Sequence, residues 1–282
     1  MELKTKNGTY ILHDWSLAGL ETCIVLQTDD NDFWAFDIGI STPISLRCNH
    51  VFISHGHPDH LASITNHLAK RHVLGKTKHA YARLSKYYIH DFLKEGVMKY
   101  VTEGMTNGCL HNAIMPKFQD EGLVTINLGE RHNFTRNWFV TSFECFHTIP
   151  CRGFILEKYV QDENKFFPVV AYTGDTTIDF IKAENNSFLQ NVPILILEVS
   201  SFQNTREAID FCHRKGHTHI NDIIDNSEYF EDVEHIVIFH IPLFLKKDEV
   251  QDSFSRMPPT LKQKIQICRS ALNYHKQFEI GI

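Results

Sequence analysis

No Cys-x-x-Cys pair occurs among the seven cysteines of this 282-residue chain, Cys23, Cys48, Cys109, Cys145, Cys151, Cys212 and Cys268. Their number is odd and their spacing scattered, which argues against a disulfide framework or a zinc ribbon and for free, partly buried thiols. Long hydrophobic runs are missing too. The apolar stretch from Val192 to Leu197, like every other, is far too short to span a bilayer. The opening residues Met1 to Lys6 lead into Asn7-Gly8-Thr9 without an apolar core, so no secretory leader is expected and the chain reads as cytoplasmic, with no membrane partner. Basic residues are dispersed over a chain of formal net charge −6 rather than gathered into a stripe, which argues against general nucleic-acid binding but leaves room for a local basic patch. No repeat of fixed period, low-complexity segment or linker appears, and residues 1–282 are read as one domain.

Histidine, by contrast, is abundant, with 18 copies. It is the commonest metal ligand, so the arrangement of these residues decides the reading. The first third alternates short strand-like runs, Thr9–Leu12, Thr22–Gln27 and Phe33–Phe36, with a hairpin turn at Thr28 to Asp32, and His50 to Ser54 is a fourth strand. From Leu61 to about Phe92 the spacing of Leu61, Ile64, Leu68, Tyr81, Leu84, Tyr88 and Phe92 predicts helix, with Gly75 and Gly96 as stops. Strands are predicted again near 123–126, 139–146, 154–156, 169–173, 194–199 and 235–239. Between the last two lie a helix over Thr205 to Lys215 and another opening at Thr218, and C-terminal helices interrupted by Pro258-Pro259 follow. That order suggests an α/β (α+β) chain of two β-rich halves with helices outside, an αββα sandwich of two mixed sheets.

The densest cluster is Ser54-His55-Gly56-His57-Pro58-Asp59-His60, a loop between the strand at 50–54 and the helix near Leu61. In an extended loop, residues two apart point the same way, so His55 and His57 can share one cation while Asp59 and His60 turn toward a second. Four ligand-type side chains fall in six positions with only Gly and Pro between them. This segment resembles the H-x-H-x-D-H signature of the metallo-β-lactamase superfamily. Further elements resemble that family's in the same order: Asp37 in Phe36-Asp37-Ile38-Gly39, His147 after the strand ending at Phe146, Asp175 in Thr173-Gly174-Asp175, and His240 after Phe239.

The resemblance implies that His55, His57 and His147 hold one zinc, that Asp59, His60 and His240 hold another, that Asp175 bridges the two, and that Asp37 braces the loop. Manganese or iron would also suit such an N/O donor set. Two cations about 3.5–4 Å apart lower the pKa of a shared water and clamp the attacking and leaving oxygens of a displacement, which favours hydrolysis by a metal-bridging hydroxide that Asp59 can orient.

Within the superfamily the second half resembles the ribonuclease Z branch. Leu197-Glu198-Val199-Ser200 resembles its Glu-Ala-Thr segment, Gly216-His217-Thr218-His219 its Gly-His-Ser/Thr motif, and Ala69-Lys70-Arg71 its segment after the metal loop. In that branch the residues matching His217 and Glu198 deliver a proton to the leaving oxygen. An alkoxide leaving from phosphorus needs such a proton, so the pair favours phosphodiesters. Structural readings stand beside these: a helix entry capped by Thr218 for His217, and a strand-end carboxylate for Glu198. Arg152 is either a contact to a substrate phosphate or a surface arginine.

Two features depart from that branch. His147 and Asp175 are only 28 positions apart, so the RNA-gripping arm is replaced by a short hairpin, and the Pro-x-Lys-x-Arg-Asn loop is replaced by Trp15 to Thr22. The substrate is therefore expected to be either an RNA 3′ end or a smaller phosphodiester such as a cyclic nucleotide. A lactone or thioester hydrolase of the same fold, and a non-catalytic scaffold, are the alternatives. The resemblance further implies a homodimer.

Overall fold

The computed structural model describes residues 1–78, 83–105, 111–271 and 273. In chain order the first half comprises β1 (Glu2–Thr5), β2 (Gly8–His13), β3 (Ser16–Leu17), β4 (Glu21–Thr22), β5 (Ile24–Gln27), β6 (Phe33–Phe36), β7 (His50–Phe52), α1 (Pro58–Leu61), α2 (Ile64–Gly75), β8 (Lys86–Ile89), α3 (Asp91–Met105), α4 (His111–Lys117) and β9 (Leu123–Thr125). The second comprises β10 (Arg131–Thr135), β11 (Trp138–Cys145), β12 (Cys151–Val160), β13 (Lys165–Tyr172), α5 (Asp179–Lys182), β14 (Ile194–Glu198), α6 (Arg206–Arg214), α7 (Ile220–Asp225), β15 (His235–Phe239), α8 (Lys247–Arg256), α9 (Pro259–Lys262) and β16 (Ile265–Ile267).

Each half builds a seven-stranded mixed sheet, in the orders β1-β2-β5-β6-β7-β8-β9 and β10-β11-β12-β13-β14-β15-β16. Three antiparallel pairings are followed by three parallel ones in both sheets. Parallel strands are buried on both faces and need helical crossovers, which is why the helices lie outside. Leu12, Leu26, Trp34, Phe52 and Tyr88 of the first sheet pack with Val140, Phe154, Tyr172, Ile196 and Phe239 of the second in one shared core. Trp34 stacks edge-on against Trp138 at 4.5 Å, tying the sheets together. Separate apolar clusters seat the helices on the outer faces, Leu68, Val97 and Met115 on one side and Ile181, Ile223 and Leu261 on the other. The result is the expected αββα sandwich. Among the described residues no helix is long and apolar enough to cross a membrane. The six described cysteines are free and buried, and Cys109 lies outside the described residues.

Three expectations from the sequence need correction. The helical reading of 61–92 holds only to Gly75, because Leu84 precedes, and Tyr88 lies within, the strand β8; Tyr81 lies outside the described residues. Tyr87 and Tyr88 are both fully buried on opposite faces of the sheet, and a strand apolar on both sides carries no alternation to betray it. Gly96 does not stop a helix but lies inside α3, at a position where a side chain would meet open space. The helix expected to open at Thr218 is capped instead by His219, whose ring accepts from the Asn221 amide at 3.0 Å while Asp222 accepts from the His219 amide at 2.8 Å.

Candidate metal centre

Ligands of parallel sheets gather beyond the carboxyl ends of the strands, and the cluster forms at strand carboxyl ends, of strands with a parallel neighbour in every case but that of His147, whose strand is antiparallel on both sides. Asp37 follows β6, the His55–His60 segment follows β7 with Asp59 and His60 on α1, which begins at Pro58 rather than near Leu61, His147 follows β11, Asp175 follows β13, Glu198 ends β14, and His240 follows β15. Asp37 and His240 are non-glycine residues in the left-handed region, at φ 59° and 60°. Such backbone costs on the order of 1–3 kcal/mol and persists where the surroundings demand it. Two glycines permit the close approach. A Cβ on Gly39 would stand 1.7 Å from the Asp59 carbonyl oxygen, and one on Gly174 would stand 2.5 Å from Ser54 Cβ.

The donor atoms converge as follows. His57 Nδ1 lies 3.1 Å from His55 Nε2 and 3.2 Å from His147 Nε2. Asp175 Oδ2 lies 3.7 Å from His55 Nε2 and 4.0 Å from His147 Nε2. On the other side Asp59 Oδ2 lies 3.4 Å from His60 Nε2 and 3.3 Å from His240 Nε2. Asp175 closes this second set through Oδ1, 3.3 Å from His60 Nε2, and Oδ2, 3.4 Å from His240 Nε2. Donors about 2.0–2.1 Å from a tetrahedral ion stand roughly 3.3 Å apart, so both sets have the spacing of a ligand shell.

The outer contacts fix which nitrogen each histidine presents. Asp37 Oδ2 takes the Nδ1 proton of His60 at 2.6 Å, and the Gly216 carbonyl takes that of His147 at 2.9 Å. Ser54 Oγ donates to Asp37 at 2.8 Å and therefore accepts from His55 Nδ1 at 2.9 Å. Ser200 Oγ donates to Glu198 Oε1 at 2.5 Å and therefore accepts from His240 Nδ1 at 2.8 Å. In the neutral form all four rings thus turn a bare Nε2 inward, the arrangement of metal-ligating imidazoles. His60 Nε2 and Asp175 Oδ1 are buried and have no hydrogen-bond partner.

The electrostatics agree. Burial pushes His55 well below the usual imidazole range and also lowers His57 and His147. Burial would lower His60 and His240 as well, but the surrounding carboxylates, Asp175 foremost, override it, raising His60 strongly and His240 to about 10. Burial would raise Asp59 and Asp175, and the neighbouring histidines instead hold both well below the carboxylate range. The pocket therefore demands positive charge, which protons and divalent cations compete to supply.

Asp37 braces the loop from four directions, accepting also from the Ser54 amide at 2.7 Å and the Tyr172 hydroxyl at 2.5 Å. His217 sits at the rim, its side chain 18% exposed, with Nδ1 3.1 Å from Glu198 Oε1 and 3.8 Å from Asp175 Oδ2. By distance alone its Nδ1 could join Asp175 and His240 as a ligand. The nearer carboxylate is Glu198, although the angle is not that of a hydrogen bond. Burial would raise Glu198, and the charge of His217 and its contact lower it. The Thr218 amide also donates to Glu198 at 2.9 Å, so Thr218 positions the carboxylate rather than capping a helix.

Arg152 stands apart from these donor sets. Its amide donates to the Ser54 carbonyl at 3.1 Å, while its guanidinium carbon lies 5.9 Å from the Phe92 ring centroid. Four contributors were not singled out from the sequence: Ser54, Ser200, Tyr172 and Gly19, whose amide donates to Asp59 Oδ2 at 3.0 Å. Only the two serines carry a sequence signal, each lying next to a motif residue or two positions from one.

No family model matches the chain. It is 25% identical over 280 residues to tRNase Z TRZ1 of Arabidopsis thaliana, covering 91% of this chain and 94% of that protein. Its fold is similar to that of the metallo-β-lactamase fold protein YhfI from Bacillus subtilis, with a TM-score of 0.62, 16% identity, and coverage of 92% and 95% of the two chains. Human tRNase Z, short form, superposes with a TM-score of 0.60 at 15% identity, covering 83% of this chain and 92% of that one. With its αββα sandwich of the metallo-β-lactamase fold and its paired His/Asp donor sets, the chain is a metal-dependent hydrolase similar to ribonuclease Z.

Proposed function

We propose that this protein is a dinuclear zinc phosphodiesterase that cleaves RNA at a 3′ end. The observation that carries the reading is the inward set of four Nε2 atoms, from His55, His60, His147 and His240, which with His57 Nδ1, Asp59 and Asp175 forms two donor sets sharing one aspartate. When bound there, a pair of divalent cations supplies a lowered water pKa and stabilises charge developing on phosphoryl oxygens. Asp59 is fixed by the Gly19 amide and offers an acceptor that orients the attacking water. His217, at the rim, donates a proton to the departing oxygen from Nε2 while Glu198 stabilises its protonated ring from the Nδ1 side. RNA as the substrate class rests on the names of the Arabidopsis and human relatives. The core shared by both sheets supports reading residues 1–282 as one domain.

The test replaces His217 with alanine and measures two substrates. Metal content is expected to stay near two per chain, a p-nitrophenyl phosphodiester to lose little rate, and a nucleoside leaving group to lose roughly 10²–10⁴-fold. Equal losses on both substrates would remove the acid from the mechanism. Hydrolysis of lactones, but not of transfer-RNA precursors or cyclic nucleotides, by the unaltered protein would overturn the substrate class.

A further inference from the structure

A groove of roughly 480 Å³ opens beside the metal centre, between α6 and the segments that follow β14 and β15. This is the size of a small-molecule subsite. Ser200 and His217 line its inner end, so it begins where the proton donor stands. Phe211 and Phe244 line it further out. Both are unusually exposed for phenylalanine, at 57% and 78%. Gln203 and Thr205 add polar side chains, and a glutamine amide offers both a donor and an acceptor to a base edge. Glu207 and Glu249 also line the groove, while none of its lining residues is lysine or arginine. A groove of that charge disfavours a run of phosphates and accepts an uncharged group.

From this geometry we infer that the groove is the subsite for the leaving nucleoside, with its base stacked on Phe244. The inference rests on the phosphodiesterase reading above. If His217 protonates the departing oxygen, the nucleoside bonded to that oxygen extends past His217, and the groove lies there. One base fits the charge pattern, whereas a longer strand would have to carry its phosphates past the two glutamates. Phe211 already has Lys215 Nζ 5.9 Å from its ring centroid, so Phe244 is the freer platform. Aromatic stacking is tolerant of base identity, so the subsite selects for the presence of a base rather than for its sequence.

The experiment is a coupling cycle on the metal-loaded protein. Two short RNA substrates are compared, one intact and one lacking only the base of the leaving nucleoside, with unaltered protein, Phe244→Ala and Phe244→Trp. The alanine variant is expected to lower kcat/KM on intact RNA by roughly 5- to 150-fold, mostly through KM. Removing the base should cost the unaltered protein the same factor, and the two losses should not add. The tryptophan variant should retain the intact-RNA rate. At 78% exposure, truncating Phe244 empties no core, and an unchanged melting temperature checks this. Losses that add, or an alanine variant as fast as the unaltered protein on intact RNA, would overturn the subsite while leaving the phosphodiesterase reading intact. A dimer that Phe244→Ala converts to monomer would make the groove a self-association face and overturn it too. Absence of any phosphodiester hydrolysis by the unaltered protein would overturn both readings together.

Discussion

The two halves of the molecule repeat one another in strand order but arm the site differently. In the first half a single segment after β7 carries His55 and His57 in a loop and Asp59 and His60 on α1, and Asp37 after the neighbouring strand β6 braces it. In the second half the donors come one at a time, His147, Asp175 and His240 from three separate strand ends, and a further pair, Glu198 and His217, stands beside them. The first half is a compact chelating segment. The second half closes the donor sets and, in the proposed mechanism, supplies in His217 the proton for the leaving oxygen. On that reading the difference teaches that the dense chelating segment and the proton donor are written in different parts of the chain. Variation in the second half can change the substrate without dismantling the loop.

The sharpest way to break this comparison is at the residue both halves share. Asp175 belongs to the second half but lies within 4.0 Å of donor nitrogens on His55 and His60 of the first and on His147 and His240 of the second. Asp175→Ala is expected to reduce bound metal and to lower turnover by roughly 10³-fold or more, since several kcal/mol of charge stabilisation goes with the ions. Metal analysis and a rate measurement on one preparation check this. Full turnover with two ions bound would mean that the halves do not meet at Asp175.

A second prediction compares the two braces. Asp37 accepts four hydrogen bonds, and its loss strands His60 Nδ1, the Ser54 amide and hydroxyl, and the Tyr172 hydroxyl in a buried site. Ser200 makes two, linking His240 Nδ1 to Glu198. Asp37→Ala should weaken metal binding by about 10- to 100-fold, in the range of outer contacts that orient ligands. It should also destabilise the fold, at about 1–3 kcal/mol for each donor left without an acceptor. Ser200→Ala should cost less than about tenfold in affinity, because one hydroxyl is lost and His240 keeps Asp59 and Asp175 beside Nε2. Competition against a chelator ranks the two. A larger effect from Ser200 would reverse the assignment of the first half as the rigid chelator.

The same contrast explains how much could be read from the residues. The first-half loop was legible because four donors in six positions leave few structural alternatives. The second-half residues were legible only as a series in the right order, since a lone His147 or His240 at a strand end looks like any packed polar residue. Of the outer contacts Asp37 was legible through the resemblance, but Tyr172 was not: it is 135 positions from Asp37, and its hydroxyl reaches it across the inter-sheet core. Helix and strand were confused where a buried parallel strand, β8, followed a true helix, because Leu84, Tyr88 and Phe92 happen to fall four apart. The three-residue β16 was missed for want of length, and it is held as a strand by parallel pairing with β15 rather than by its own pattern.

A last prediction concerns acid sensitivity in the first half. The first half buries neutral imidazoles away from the donor sets, and His67 on α2 is the best defined. It is fully buried, its Nε2 donates to the Ser45 carbonyl at 2.9 Å, and its Nδ1 accepts from the Tyr87 hydroxyl at 2.6 Å. Both nitrogens are thus satisfied in the neutral form. Burial pushes the ring down to about 4, against an unfolded value of 6.5. Because the folded value is the lower one, the unfolded chain takes up the proton first as pH falls. The contribution of His67 is therefore complete above about pH 6.5, shrinks between 6.5 and 4, and is flat below. Between pH 7 and pH 5 the loss amounts to about 2 kcal/mol. His67→Gln keeps a polar side chain but cannot titrate there, so its urea-unfolding free energy should fall by about 2 kcal/mol less than that of the unaltered protein over the same interval. Protonation of the metal ligands affects both proteins equally and cancels in the difference. Parallel pH dependence in the two would show that His67 is already charged in the folded state.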